Sequence, residues 1–330
     1  DDAFWQNTLG QAVSLRRALL LDEVADAYRL VHSEGDGLSG LIAERYADCL
    51  AFEIFSLGMF QRCHDLAARL GVLLGPPTSL DRPGRAAPRW RVVVRADEHI
   101  ARIEGFRVPP PPEDAPTTVT IREHGVRYRV DMIAGHKTGF FCDQRDNRLA
   151  FARLCRDADV LDCCCYTAGF GLCAKLLGGA REVTSVDLDE AALAVARDNA
   201  NLNQARLNLV QADAFAYLRQ MRDNGRQFDA VVLDPPKLAP TRRDYDDALH
   251  KYHDLNGLGL QVVRPGGLLL TCSCSGLVSP EAFVETVHRA ARRVGRTLQL
   301  FAHTAAGPDH PVRLNCPESA YLKALWLRVL

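Results

Sequence analysis

Residues 159–189, DVLDCCCYTAGFGLCAKLLGGAREVTSVDLD, decide how the chain reads. An apolar run (Val160, Leu161, Cys163, Cys164, Cys165) turns through Ala168-Gly169-Phe170-Gly171, continues with helix-compatible residues, and closes on a second run that ends at Asp187. A strand, a glycine turn, a helix and a strand ending in an acid make a nucleotide-binding unit. Gly169 and Gly171 are expected to let the backbone approach a ligand closely, and Asp187 to accept hydrogen bonds from ribose hydroxyls.

Working outward, the same alternation repeats. Residues 183–186, 207–210, 228–233 and 268–272 read as further strands, with helices at 190–201 and 245–262 between them. This order predicts an α/β Rossmann-like domain whose mostly parallel sheet is covered on both faces. Ligands bind beyond the carboxyl ends of such strands. Asp162, Asp187, Asp213, Asp234 and Cys274 all fall on that rim.

The rim separates two cofactor classes. A dinucleotide site carries G-x-G-x-x-G, whereas here the positions are Gly169, Gly171 and Ala174, with Asp162 just ahead of the turn. An acid there repels a pyrophosphate and suits the ammonium of S-adenosylmethionine, leaving Asp187 and Asp213 for ribose and adenine. Upstream, residues 135–145 concentrate polar groups: Lys137 and Arg145 can answer a carboxylate, and Thr138 and Gln144 can donate hydrogen bonds. The segment reads equally as a lid over a cofactor and as a solvated connection.

Two further stretches carry chemistry. Asp234-Pro235-Pro236-Lys237 follows the fourth strand, where the prolines fix the backbone and hold the acid rigidly toward a planar amine or ring nitrogen. Thr271-Cys-Ser-Cys-Ser-Gly276 follows the fifth. Cytosine C5 is a weak nucleophile, so its methylation needs a thiolate added at C6 and later expelled. Cys272 and Cys274 compete for that role; Cys272 belongs to the strand, Cys274 to the turn. The bland reading of either is a buried core thiol.

Before the proline-rich stretch, 4–21 and 59–70 read as helices and 27–32, 40–46, 49–55 and 91–95 as strands. The expected division is a small α/β domain at 1–108, a stiff link at 109–117, and a hairpin plus the Rossmann-like domain at 118–330, the hairpin turning at Glu123-His124-Gly125. The formal net charge of -1 excludes a strong overall field toward nucleic acid or membrane. The 11 cysteines contain no C-x-x-C pair, which argues for reduced thiols in the cytoplasm and against disulfides or a metal site. No run is long and apolar enough to span a bilayer. The first residue is Asp1, which suggests further sequence upstream.

In order along the chain stand G-H-K-T-G-F-F-x-D-Q-R (135–145), V-L-D-C-x-x-Y-T-A-G-F (160–170), S-V-D (185–187), D-P-P-K (234–237), S-C-S-G (273–276), D-H-P-V (309–312) and P-E-x-x-Y-L-K (317–323). With E-G-D-G-L-S-G-L (34–41) and R-E-H-G (122–125), this set resembles the bacterial large-subunit ribosomal RNA cytosine-C5 methyltransferases built from PUA, EEHD and Rossmann-like domains. The resemblance spans nearly the whole chain. It implies S-adenosylmethionine as cofactor, 23S ribosomal RNA as partner, Cys274 as nucleophile and Asp234 against the target cytosine. Asp162, Asp187 and Asp213, with Tyr166 and Gly169 in the shared motif, match cofactor-binding positions; Pro235, Pro236 and Lys237 match the substrate side. Two features depart from the pattern: no second thiol stands beside Pro236, leaving the base for the C5 proton unassigned, and no PUA domain lies within these residues. A homodimer is compatible with the sequence. The rival readings are an RNA base N-methyltransferase, for example one making 7-methylguanine, a cofactor-binding ribosome assembly factor without turnover, and, more distantly, a dinucleotide oxidoreductase.

Overall fold

The computed structural model describes residues 2–77, 89–110, 117–132 and 139–330. Contacts divide the chain into two compact units, Asp1–Arg145 with Gly307–Ser319, and Asp146–Ala306 with Ala320–Leu330.

In the first unit, β1 (Ala27–His32), β2 (Leu41–Tyr46), β3 (Cys49–Ile54) and β4 (Arg91–Arg95) form a sheet in that order, antiparallel except where β3 meets β4. Leu9 and Val13 of the helix Asp2–Ala18, and Leu66 and Leu70 of the helix Cys63–Leu74, bury against it. The second helix begins later than its apolar spacing predicts, because Ser56 caps a separate turn, Leu57–Phe60, that ends at Gln61. A hairpin follows, β5 (Thr118–Glu123) and β6 (Val126–Asp131), turning through His124 and Gly125 at positive φ.

This hairpin groups with the first unit and not with the larger domain that the proline-rich stretch leads one to expect. The cause is local: the Arg122 carbonyl accepts from Asp26 N at 3.0 Å, and Arg122 N donates to Asp26 Oδ1 at 2.6 Å. Of the link itself, residues 111–116 lie outside the described residues.

The first unit is completed by a late segment. Asp309, fully buried, accepts from Arg145 Nη1 at 3.1 Å and Nη2 at 2.8 Å, and from Arg29 N at 2.9 Å. Its carbonyl accepts from Arg16 Nη2 at 2.6 Å. Burial alone would favour the neutral acid, but His310 and Arg145 outweigh it and hold Asp309 far below the usual carboxylate range. Nearby, Arg29 Nη1 donates to His32 Nδ1, so the His32 Nε2–H faces the Ser319 carbonyl. Burial, then the Arg29 charge, pushes His32 down to about 3 and keeps it neutral.

The second unit carries β7 (Asp159–Cys163), β8 (Glu182–Asp187), β9 (Asn208–Gln211), β10 (Phe228–Leu233), β11 (Val263–Ser273), β12 (Leu298–Thr304) and β13 (Lys323–Val329). They form one seven-stranded sheet in the order β12-β13-β11-β10-β7-β8-β9, with β13 antiparallel to both neighbours and the other pairs parallel. Successive side chains alternate between two cores: Leu161, Val231, Leu233 and Leu269 enter one, Val160, Ala230, Val232 and Leu270 the other. A sheet buried on both faces needs apolar residues at nearly every position, which is why these strands are legible as unbroken runs. The fifth strand starts before its expected residue 268: Pro265-Gly266-Gly267 lies inside β11, taken up by a register jump from Phe228↔Val263 to Ala230↔Leu268.

Candidate active site

Asp162 lies inside β7, 1% exposed, and its Oδ2 accepts from Gly171 N at 2.9 Å. Its Oδ1 is buried with no hydrogen-bond partner among the described residues. Burial lifts this carboxyl to about 7; the Gly171 N–H and Arg148 oppose the rise, while Asp234 and Asp187 add to it. A buried oxygen that lacks a donor, in a group poised to ionise near neutrality, fits the ammonium end of S-adenosylmethionine.

The turn after β7 has a different construction from the one its glycines suggest. Its left-handed residues are Cys164 (φ 59), Tyr166 (φ 50) and Ala168 (φ 62), whereas Gly169 and Gly171 open the helix Gly169–Leu176. Asp187 pins the turn, Oδ2 accepting from Tyr166 N at 2.7 Å and Oδ1 from Asp189 N at 3.0 Å. Gly171 is required by close packing: a Cβ there would stand 2.5 Å from Ser185 Oγ and 3.1 Å from Val183 Cγ1. A Cβ on Gly169 would meet Arg148 Cδ at 3.0 Å. Gly171 therefore seats the helix on β7 and β8, while Gly169 leaves room for the Arg148 side chain.

Cys164 shows which carboxylates converge. After burial, the charges of Asp187, Asp234, Asp162 and Asp213, in that order, push its thiol above the ordinary range. Asp213 also caps the helix Ala214–Asp223, accepting from Ala216 N at 2.9 Å, so a structural role stands beside any role toward adenine. Asp234 follows β10, half-buried, with its N–H directed at the Cys163 carbonyl; Pro235 is buried, Pro236 and Lys237 exposed.

Cys272 is fully buried within β11, while Cys274 lies past its end and is half-buried. The turn around Cys274 is tightly tied. Ser275 Oγ accepts from Ala239 N at 3.1 Å and lies 3.0 Å from the Tyr252 hydroxyl. Lys323, 5% exposed, donates to the carbonyls of Ser275 at 2.6 Å and Tyr321 at 2.8 Å.

Other expected site residues fall elsewhere. Lys137 and Thr138 lie outside the described residues. Gln144 and Arg145 are buried and belong to the first unit, and the carboxylate that Arg145 answers is Asp309 of the protein itself. Ser185, Arg148, Tyr252 and Lys323 join the second-unit site without having been singled out as site residues; of these, Ser185 and Lys323 carried a signal, as the first letter of S-V-D and the last of P-E-x-x-Y-L-K. Among the described residues no group of His, Cys, Asp or Glu is arranged to hold a metal, and no helix is long and apolar enough to cross a membrane.

A doubly covered, mostly parallel sheet whose carboxyl rim gathers four acids, without a dinucleotide fingerprint, defines a Rossmann-like nucleotide-binding enzyme. The model of the S-adenosylmethionine-dependent methyltransferases matches residues 112–328. Ribosomal RNA large subunit methyltransferase I of Tolumonas auensis is 40% identical, the match covering 100% of this chain and 81% of the relative. The protein of that name from Klebsiella pneumoniae is 37% identical over 100% of this chain and 80% of its own. Among solved structures, SMU.776, described as a methyltransferase complexed with SAH, shares the fold with a TM-score of 0.83 at 22% identity, over 99% of this chain and 81% of that one. The chain belongs to the S-adenosylmethionine-dependent methyltransferase family.

Proposed function

We propose that the protein methylates C5 of a cytosine in large-subunit ribosomal RNA, with Cys274 as nucleophile. The observation that carries this reading is the position of Cys274: a half-buried thiol just past β11, on the rim that also holds Asp234. The names of the relatives support ribosomal RNA as substrate. S-adenosylmethionine, when bound, supplies the methyl group. Asp162 holds its ammonium, Asp187 the ribose hydroxyls and Asp213 the adenine edge, while Tyr166 and Gly169 shape the turn between them.

On the substrate side, Asp234 hydrogen-bonds the cytosine edge and Pro235, Pro236 and Lys237 fix its approach. The Cys274 thiolate forms a bond to C6, which gives C5 the electron density to take a methyl group. Loss of the C5 proton to a base then returns the electron pair that breaks the Sγ–C6 bond. A stacked base hides C6, so the target is a flipped or unpaired nucleotide. The RNA-facing part is the first unit, within which residues 1–108 lie, and the enzyme works in the cytoplasm.

Incubation with S-adenosylmethionine and unmodified ribosomal RNA, followed by bisulfite mapping, tests the reading. The expected result is one protected cytosine with the wild type and none with Cys274→Ala. Full activity in the variant would exclude the covalent route and favour N-methylation.

A further inference from the structure

The Cys274 turn contains a buried cation that no step above uses. β13 runs antiparallel to β11, so its first residue, Lys323, pairs with Ser273, the last residue of β11. Topology thus brings a lysine from the end of the chain against the turn that carries Cys274. The side chain is 5% exposed, and its ammonium donates to two carbonyls, Ser275 one residue beyond the thiol and Tyr321 on its own strand approach. No carboxylate among the described residues forms an ion pair with it at salt-bridge distance. Carbonyls orient an ammonium without cancelling its charge, and an ammonium has three protons. Two are spent on these carbonyls.

We propose that Lys323 is the positioning residue for Cys274: it braces the Ser273–Ser275 turn and supplies the fixed positive charge that favours the thiolate over the thiol. The proposal rests on Cys274 being the nucleophile. Other groups facing this turn are the Tyr252 hydroxyl, hydrogen-bonded to Ser275, and the Asp234 carboxylate. Tyr252 is neutral, its ionisation raised by burial first of all, and Asp234 bears the charge that disfavours a thiolate. Of these three groups on the turn, Lys323 is the one whose charge favours the anion. In keeping with this, burial draws the Lys323 ammonium down to about 8, and the Cys274 charge is what counteracts it. A cation costly to bury is retained where an anion needs it.

The test is alkylation by iodoacetamide across pH 6–9, read peptide by peptide by mass spectrometry on the full chain. Cys316, also half-buried, serves as an internal reference. In the wild type Cys274 should alkylate faster than Cys316 at pH 7. Lys323→Met should slow Cys274 by about tenfold or more, the effect of removing an opposite charge from beside a titrating group, and move its pH profile upward without altering Cys316. Lys323→Arg should restore most of the rate. Methyl transfer should follow the same order through kcat, with KM for S-adenosylmethionine unchanged. An unchanged Cys274 profile in folded Lys323→Met overturns the proposal. If that variant does not fold, equal alkylation of Cys274 and Cys316 in the wild type does so instead. Full activity of Cys274→Ala would sink the nucleophile reading separately, because the alkylation comparison needs no turnover.

Discussion

Asp162 is the residue where burial and chemistry pull apart. A carboxyl raised to about 7 in the folded protein contributes stability that is present below its unfolded value, about 3.9, and is lost as pH rises through about 7. Asp162→Asn removes that loss. The cofactor-free variant should melt higher than the wild type at pH 8 and no higher at pH 4, by thermal scanning. Cofactor affinity should move the other way. An ammonium favours the carboxylate, so wild-type affinity for S-adenosylmethionine rises with pH through about 7. In the variant calorimetry should show affinity about tenfold weaker or worse, without that step. Wild-type affinity in Asp162→Asn would remove Asp162 from the cofactor site. The place of Asp162 within β7 was legible because an acid interrupts an apolar run. The pairing of Arg145 with Asp309 was not legible, because the partner lies far along the chain and leaves no local pattern.

Among elements, strands β7 to β11 were the most legible, β12 and β13 were not read at all, and the turn after β7 was misleading. Residues buried on both faces spell a strand in any order, but a left-handed backbone is read from sequence through glycine. Here Cys164, Tyr166 and Ala168 adopt it, held by hydrogen bonds such as that from Tyr166 N to Asp187, and the glycines are kept for contact. Gly171→Ala should therefore cost about 1–3 kcal/mol by overpacking, measured by urea unfolding. Ser185→Ala in the same chain should recover part of that loss, since Ser185 Oγ is the nearest atom the new Cβ meets. A single variant within about 0.5 kcal/mol of wild type would show that the helix can shift to accept a methyl group.

At the scale of the molecule, two features escaped the sequence: the hairpin joins the first unit, and so does Gly307–Ser319. Proline runs mark where a chain is stiff, not which core each flank enters. Membership is set by pairs such as Asp26 with Arg122 and Arg145 with Asp309, each distant in sequence. The second of these is testable. Asp309→Asn removes one charge of the buried Arg145–Asp309 pair and should cost about 3–5 kcal/mol, by chemical denaturation of the full chain. Pairing it with Arg145→Met should reduce the loss. A single variant within about 1 kcal/mol of wild type would mean that the remaining contacts of Arg145 suffice.

The late return of Gly307–Ser319 also acts as a clock during synthesis. Chains usually consolidate from the amino end as they emerge, at about 5–20 residues per second. Here the first unit lacks Asp309 until the whole stretch from Asp146 to Ala306 has been made, so Arg16, Arg29 and Arg145 wait on the order of ten seconds or more for the group that gathers them. The strands β7 to β11 are complete before that moment. Both units thus close late, since β13 enters the second sheet between β11 and β12 only after Gly307–Ser319 has completed the first unit, and a ribosome stalled before residue 309 would carry both of them open.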